Sequence, residues 1–193
     1  MNAAAFVRGT FPDSESQRLR AALNLTSTEC SNMLNPSEGK VLPEWIDHNG
    51  HMNLAYYVLA FDLATDQFFD NFGIDQAYRD TTGCSTFAGD IHVYYKRELH
   101  EGDAFTVTST LLGFDEKRIR FFNQMFRADD GSEVALMESL SLHVDLTERR
   151  VCPMHEPLPT KLAAVQAAQG TIEIPAEIGR TIQKPPVYVG NGQ

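Results

Sequence analysis

Hydrophobic residues along this chain change their period once, near Gly73. From Asn53 to Phe72, Leu54, Tyr57, Val58, Phe61, Ala64, Phe68 and Phe72 return at helical spacing, while Asp62, Asp66, Asp70 and Asn71 fall on the other side. The spacing predicts one amphipathic helix of about 20 residues, roughly 30 Å long, closed by Gly73. Beyond it, Ser85–Leu99, Ala104–Phe114, Lys117–Ala128 and Glu133–Leu146 read as long strands. They are separated by turn-forming Gly102-Asp103, Asp115-Glu116 and Asp129-Asp130-Gly131. In the last strand Val134, Leu136, Leu140, Leu142, Val144 and Leu146 share one face, and Ser139, Ser141, His143 and Asp145 share the other. A helix with one apolar stripe must bury it, and a curved antiparallel sheet is the partner these elements supply. The expected class is α+β, with a sheet wrapped around one long central helix.

The flanks differ in character. Residues 1–36, rich in Ser, Thr, Asn and Ala, read as an N-terminal extension with a short helix over Ser16–Asn24. Lys40–Ile46 is a short strand candidate opening a 37–152 domain. Six prolines from Pro153 onward suggest an extended C-terminal arm over 153–193, with one helix at Thr160–Gln169.

Charge narrows the function. The net charge is −10, and residues 37–152 carry all of it, with ten basic against twenty acidic groups. Nucleic-acid binding needs a positive surface and is disfavoured. No apolar run is long enough to span a membrane, and the opening Met1–Arg8 is too short for a secretory signal. Cys30, Cys84 and Cys152 are odd in number and far apart in sequence. They suit neither a disulfide framework nor a zinc ribbon, and point to a reducing, cytoplasmic setting.

The densest polar cluster is Trp45-Ile46-Asp47-His48-Asn49-Gly50-His51-Met52-Asn53, which feeds the helix. The first-turn N–H groups of a helix are unpaired and carry partial positive charge. A carbonyl or oxyanion can be polarised there. Gly50 permits close backbone approach, and Asp47 is near enough in sequence to face the same spot.

Asp47-His48-Asn49-Gly50-His51-Met52-Asn53-Leu54-Ala55-Tyr56-Tyr57 resembles the Asp-x-x-x-His-Val-Asn-Asn-x-x-Tyr signature of hotdog-fold acyl-CoA thioesterases of the 4-hydroxybenzoyl-CoA thioesterase type. Leu54 stands where many members have a second Asn. Tyr94-Tyr95-Lys96-Arg97-Glu98-Leu99 with Gly102-Asp103 is similar to a second segment of that family, and the likeness extends over roughly Gly39–Val151. More narrowly, Asn49–Asn53, Phe114-Asp115-x-Lys117-Arg118 and Leu142–Asp145 resemble betainyl-CoA thioesterases of carnitine breakdown, including those fused to carnitine dehydrogenase.

The resemblance implies a hotdog fold, thioester hydrolysis without a cofactor, and Asp47 as nucleophile or general base. It places the Leu54 N–H on the thioester carbonyl, with His51 and Asn53 as loop supports. Trp45, Tyr56, Tyr57 and Phe87 are acyl-pocket candidates, since aromatic faces suit a quaternary ammonium. Lys117, Arg118 and Arg97 are candidates for the CoA phosphates. It also implies a homodimer or homotetramer with sites at the interface.

Other readings of the same residues compete. Asp47 alone is an ordinary helix N-cap, and Asp47, His48 and His51 lack a fourth metal ligand at known spacing. Asp62 reads as a solvated or subunit-facing carboxylate. Glu138, interrupting the apolar face of the last strand, is either paired or a substrate contact. A hotdog hydratase would need an Asp/His pair beyond the first helical turn, and a non-catalytic acyl-CoA binder would not need Asp47.

Overall fold

The computed structural model describes residues 7–8, 36–169 and 171–182. The helix expected at Ser16–Asn24 lies outside them. Strands β1 (Val7–Arg8), β2 (Ser37–Lys40), β3 (Cys84–Tyr95), β4 (Ala104–Phe114), β5 (Arg118–Arg127) and β6 (Glu133–Asp145) form one antiparallel sheet in the order β1-β2-β4-β5-β6-β3. A two-residue β7 (Arg150–Val151) pairs with the end of β6. The sheet curls around helix α1 (Leu54–Phe72), so this is an α+β hotdog fold.

Pro43 redirects the stretch expected as a strand over Lys40–Ile46. Without an N–H it cannot continue a ladder, and β2 ends at Lys40 before a 3-10 turn at Pro43–Trp45. β2 also lies close over a ring. A Cβ on Gly39 would run into the Phe105 ring, which would have to shift to admit any other residue. Helix α2 (Gln76–Thr82), absent from the periodicity, is defined by its ends: the Asp75 carboxylate accepts the Tyr78 N–H at 2.9 Å, and Gly83 follows the last turn.

Two apolar clusters sit between α1 and the sheet. Tyr57, Ala60, Phe61 and Ala64 pack on Trp45, Phe105, Met125 and Met137 near the start of α1. Phe68, Phe69 and Phe72 pack on Phe121 near its end, closed by Leu158, Leu162 and Val165 of helix α3 (Leu158–Gln169). The helix within the C-terminal arm is therefore part of the core.

The faces of β6 are the reverse of a simple apolar-inside rule. Phe121, which touches Phe68 and Phe69, is opposite Ser139, and Ile119 is opposite Ser141. Ala135, Met137, Ser139, Ser141 and His143 thus face the helices. Toward the middle of the strand Glu138, Leu140 and Leu142 lie on the opposite face, where Glu138 pairs with Arg120 and accepts the Gly179 N–H at 2.6 Å, while Val134 and Leu136 at its start are fully buried. Small side chains allow α1 to approach this strand; alternation alone cannot say which face looks inward.

Candidate active site

Between the 3-10 turn and α1, residues Asp47–Met52 form a tight hairpin. Ile46 and Met52 bridge at its base, the Asp47 N–H donates to His51 O at 3.0 Å, and the Gly50 N–H donates to Asp47 O at 3.0 Å. Gly50 turns the chain at φ 84°, a left-handed value that strains any other side chain. Two further backbone bonds fix the hairpin: Met52 N–H to Leu99 O at 2.7 Å and Asn53 N–H to Trp45 O at 2.9 Å.

Asp47 Oδ1 accepts the Asn49 N–H at 2.8 Å, and its other oxygen has no partner among the described residues. Asn53 caps α1, its Oδ1 accepting the Ala55 N–H at 3.0 Å and its carbonyl accepting the Tyr56 N–H at 3.0 Å. The Leu54 N–H has no acceptor among the described residues, and the Leu54 side chain is 62 % exposed. The helix start thus keeps an uncommitted donor at its positive end. His51 braces the loop, with Nδ1 3.2 Å from Met52 O and Nε2 3.9 Å from Glu98.

The aromatic candidates separate into different roles. Trp45 is buried and stacks on Tyr56, ring centroids 5.4 Å apart. Tyr57 is buried too; its hydroxyl accepts the Leu99 N–H at 3.0 Å and donates to Arg97 O at 3.3 Å. Burial pushes its pKa up, so the hydroxyl stays protonated and serves as a brace. Phe87 is opposite Leu142 on the convex face, beneath the Arg149 guanidinium at 5.2 Å, and does not join the loop cluster of its own chain.

Tyr95 and Glu98, not singled out from the sequence, flank the loop instead. The Tyr95 hydroxyl lies 3.4 Å from Leu54 O, donating to it, and the ring meets Tyr57 edge-on. Both lie within the Tyr94–Leu99 segment noted above, but only the topology that returns β3 to the helix start shows that they reach the loop.

The basic candidates also separate. Arg97 follows β3 directly and its carbonyl receives Tyr57. Lys117 and Arg118 occupy the β4–β5 turn, a strand length of roughly 30–35 Å from the loop within one chain. Arg118 is engaged there with Asp115, and that bond, with the Lys117 N–H, holds the Asp115 carboxyl below its usual range. Asp47, His48 and His51 form no metal-ligand group. Among the described residues one such group occurs, Cys84, His143 and Cys152, at the far end of the sheet.

The hotdog fold, with a polar hairpin feeding its central helix, suits a thioester hydrolase, and the comparisons show the family. Residues 41–166 match the family model of the thioesterase-like superfamily, and the chain belongs to that superfamily as a hotdog-fold thioesterase. It is 36 % identical over 157 residues to betainyl-CoA thioesterase of Pseudomonas aeruginosa, covering 81 % of this chain and 99 % of that one. It is 31 % identical over 156 residues to L-carnitine dehydrogenase/betainyl-CoA thioesterase of Rhizobium meliloti, spanning 81 % of this chain but 31 % of that longer protein. Among solved structures, a Staphylococcus aureus protein in complex with CoA superposes with a TM-score of 0.74 at 29 % identity, covering 80 % of this chain and 97 % of that one. A Pseudomonas putida protein gives 0.68 at 32 % identity, over 77 % and 95 %.

Proposed function

We propose that this chain hydrolyses a short acyl-CoA with a cationic acyl head, betainyl-CoA foremost, at the Asp47–Leu54 loop. The observation that carries the reading is the hairpin itself. It carries a carboxylate with one oxygen that has no partner among the described residues, and it leads into a helix start whose Leu54 N–H likewise has none there.

In this reading water adds to the thioester carbonyl, the C–S bond breaks, and the CoA thiolate leaves and is protonated. Asp47 takes the proton of the attacking water, or attacks first and is released from a mixed anhydride by water. The Leu54 N–H receives the developing oxyanion, an interaction of a kind worth about 3–4 kcal/mol elsewhere. A single turnover in ¹⁸O-water tests the covalent route: label left in Asp47 marks an anhydride opened by water at the Asp47 carbonyl, whereas general-base hydrolysis places all the label in the released acid.

The likeness to the P. aeruginosa enzyme supports the choice of substrate, and so do the groups around the loop. Asp47 and Glu98 are acidic, and Tyr56 and Tyr95 offer aromatic faces to a trimethylammonium group. Arg97 would meet the CoA phosphates from the same chain. Lys117 and Arg118 could do so from another subunit. β3 is an edge strand paired only with β6 among the described residues, and twofold antiparallel pairing of two such edges would lay the far end of one sheet beside the loop of the other.

Thiol release from betainyl-CoA and from its uncharged 3,3-dimethylbutyryl analogue tests the substrate. Loss of the charge is expected to lower kcat/KM ~10-fold or more. Equal rates would remove the cationic substrate and leave a short-chain acyl-CoA thioesterase.

A further inference from the structure

At the end of the sheet remote from its own Asp47 loop, two cysteines 68 positions apart in sequence meet. Cys84 opens β3 and Cys152 follows β7, with their Sγ atoms 3.8 Å apart. His143 Nδ1 lies 3.3 Å from Cys152 Sγ, and His155 Nε2 lies 3.6 Å from Cys84 Sγ. Cys84 and His143 are buried, and Cys152 is half-buried.

We propose that Cys84, Cys152 and His143 bind a thiophilic divalent cation, zinc foremost, with a water, or His155 turning in from its exposed position, as the fourth ligand.

The distances favour a metal over a disulfide. On a tetrahedral zinc with bonds of about 2.3 Å to sulfur and 2.0–2.1 Å to nitrogen, two sulfurs stand about 3.8 Å apart, and a sulfur and a nitrogen about 3.6 Å. The Cys84–Cys152 separation is that value, and the Cys152–His143 separation of 3.3 Å falls a few tenths of an ångström short of its counterpart. The two cysteines flank β6: Asp145 of β6 pairs with Cys84 on one side and Arg150 on the other, and the Cys152 N–H donates to His143 O at 3.0 Å. Their sulfurs stand 3.8 Å apart, well beyond the roughly 2.05 Å of a disulfide bond.

The surroundings supply an outer shell. His143 Nε2 is 2.8 Å from the Tyr78 hydroxyl. With its proton on Nε2, the ring donates to Tyr78 and leaves the Nδ1 lone pair for the cation, as metal-bound imidazoles commonly do. In the other tautomer Nδ1 donates to Cys152 O at 3.0 Å instead. Binding therefore selects a tautomer and releases two thiol protons to solvent, so it tightens as pH rises. The site would join α2, the ends of β3 and β6, and the segment leading into α3, clamping the C-terminal arm to the sheet.

Full-length protein, purified reduced and loaded with zinc, should carry one equivalent per chain, and cobalt(II) should give thiolate-to-metal charge-transfer and tetrahedral d–d bands. Cys152→Ser should lose those bands and most of the zinc. Cys84→Ser should do the same, and Cys30→Ser should do neither. Should Cys84→Ser fail to fold, Cys152→Ser, at a half-buried position, still decides the matter. Substoichiometric zinc in wild type, zinc unchanged by Cys152→Ser, or a Cys84–Cys152 disulfide in the purified chain would overturn the proposal.

Discussion

Replacing Tyr57 by Phe removes one oxygen from the core and tests what holds the Asp47 loop. The ring stays, so no cavity opens and the apolar transfer free energy is essentially unchanged. Two hydrogen bonds disappear, from Leu99 N–H at 3.0 Å and to Arg97 O at 3.3 Å. Leu99 is fully buried, so its orphaned N–H cannot turn to water, and such a group costs about 1–3 kcal/mol. A central value of about 2 kcal/mol corresponds to a fall of roughly 4–8 °C in Tm for a chain of this size. The effect should reach the loop, because Leu99 O accepts the Met52 N–H; turnover should fall along with stability. Calorimetry with urea unfolding, beside Tyr56→Phe as control, measures it. The Tyr56 hydroxyl has no partner among the described residues, so that variant should stay within about 0.5 kcal/mol of wild type. A Tyr57→Phe protein melting within ~1 °C of wild type would refute the brace.

Further outcomes are expected. Asp47→Asn should lower turnover at least ~100-fold with an unchanged melting curve, the scale of losing a general base or nucleophile; more than half the wild-type rate would sink the role given to Asp47. Sedimentation at assay concentration should find at least a dimer, because β3 exposes a 12-residue edge that soluble proteins rarely leave open; an active monomer would count against it. Gly39→Ala should cost about 1–3 kcal/mol, since its Cβ would enter the Phe105 ring, and a neutral result in urea unfolding would contradict that packing. On α1, burial and then the neighbouring Asp62 and Asp70 raise the pKa of Asp66. The folded state therefore holds its proton more tightly than the unfolded one, and stability falls as pH rises through the raised folded value. Asp66→Asn should gain a few tenths of a kcal/mol at pH 7 and lose that gain below about pH 3.8, where both states are protonated. Thermal scans at the two pH values check it.

Much of the architecture is legible in the pattern of residues because burial imposes a period. Helix α1 runs Leu54–Phe72 where Asn53–Phe72 was expected, and β4 coincides with Ala104–Phe114. Where local chemistry outweighs period, the pattern misleads. Pro43 ends β2, and α2 is held by its caps with no buried side chain of its own. β6 alternates as expected, yet its serines face the helix because packing distance, not polarity, selects them. The Asp47 loop could be read because its residues are contiguous. Tyr95, Glu98 and the Cys84–Cys152 meeting could not, since each depends on strands closing over tens of residues. Sequence spacing made the cysteines look solitary, and the sheet makes them neighbours.

The brace of the Asp47 hairpin has a consequence for how such a protein can diversify. Its principal supports, Asp47 to His51, Met52 to Leu99 and Asn53 to Trp45, run from main chain to main chain. Peptide groups are the same whatever residue carries them, so these supports survive most exchanges of side chain. Tyr56, Tyr95 and Glu98 surround the loop outside those main-chain supports, the Tyr95 hydroxyl adding one side-chain bond to Leu54 O, so in the proposed reading they can be varied to admit a different acyl group while the carboxylate and the helix start keep their places. Laboratory selection for new thioesters should find its gains at those three positions and tolerate little at Gly50.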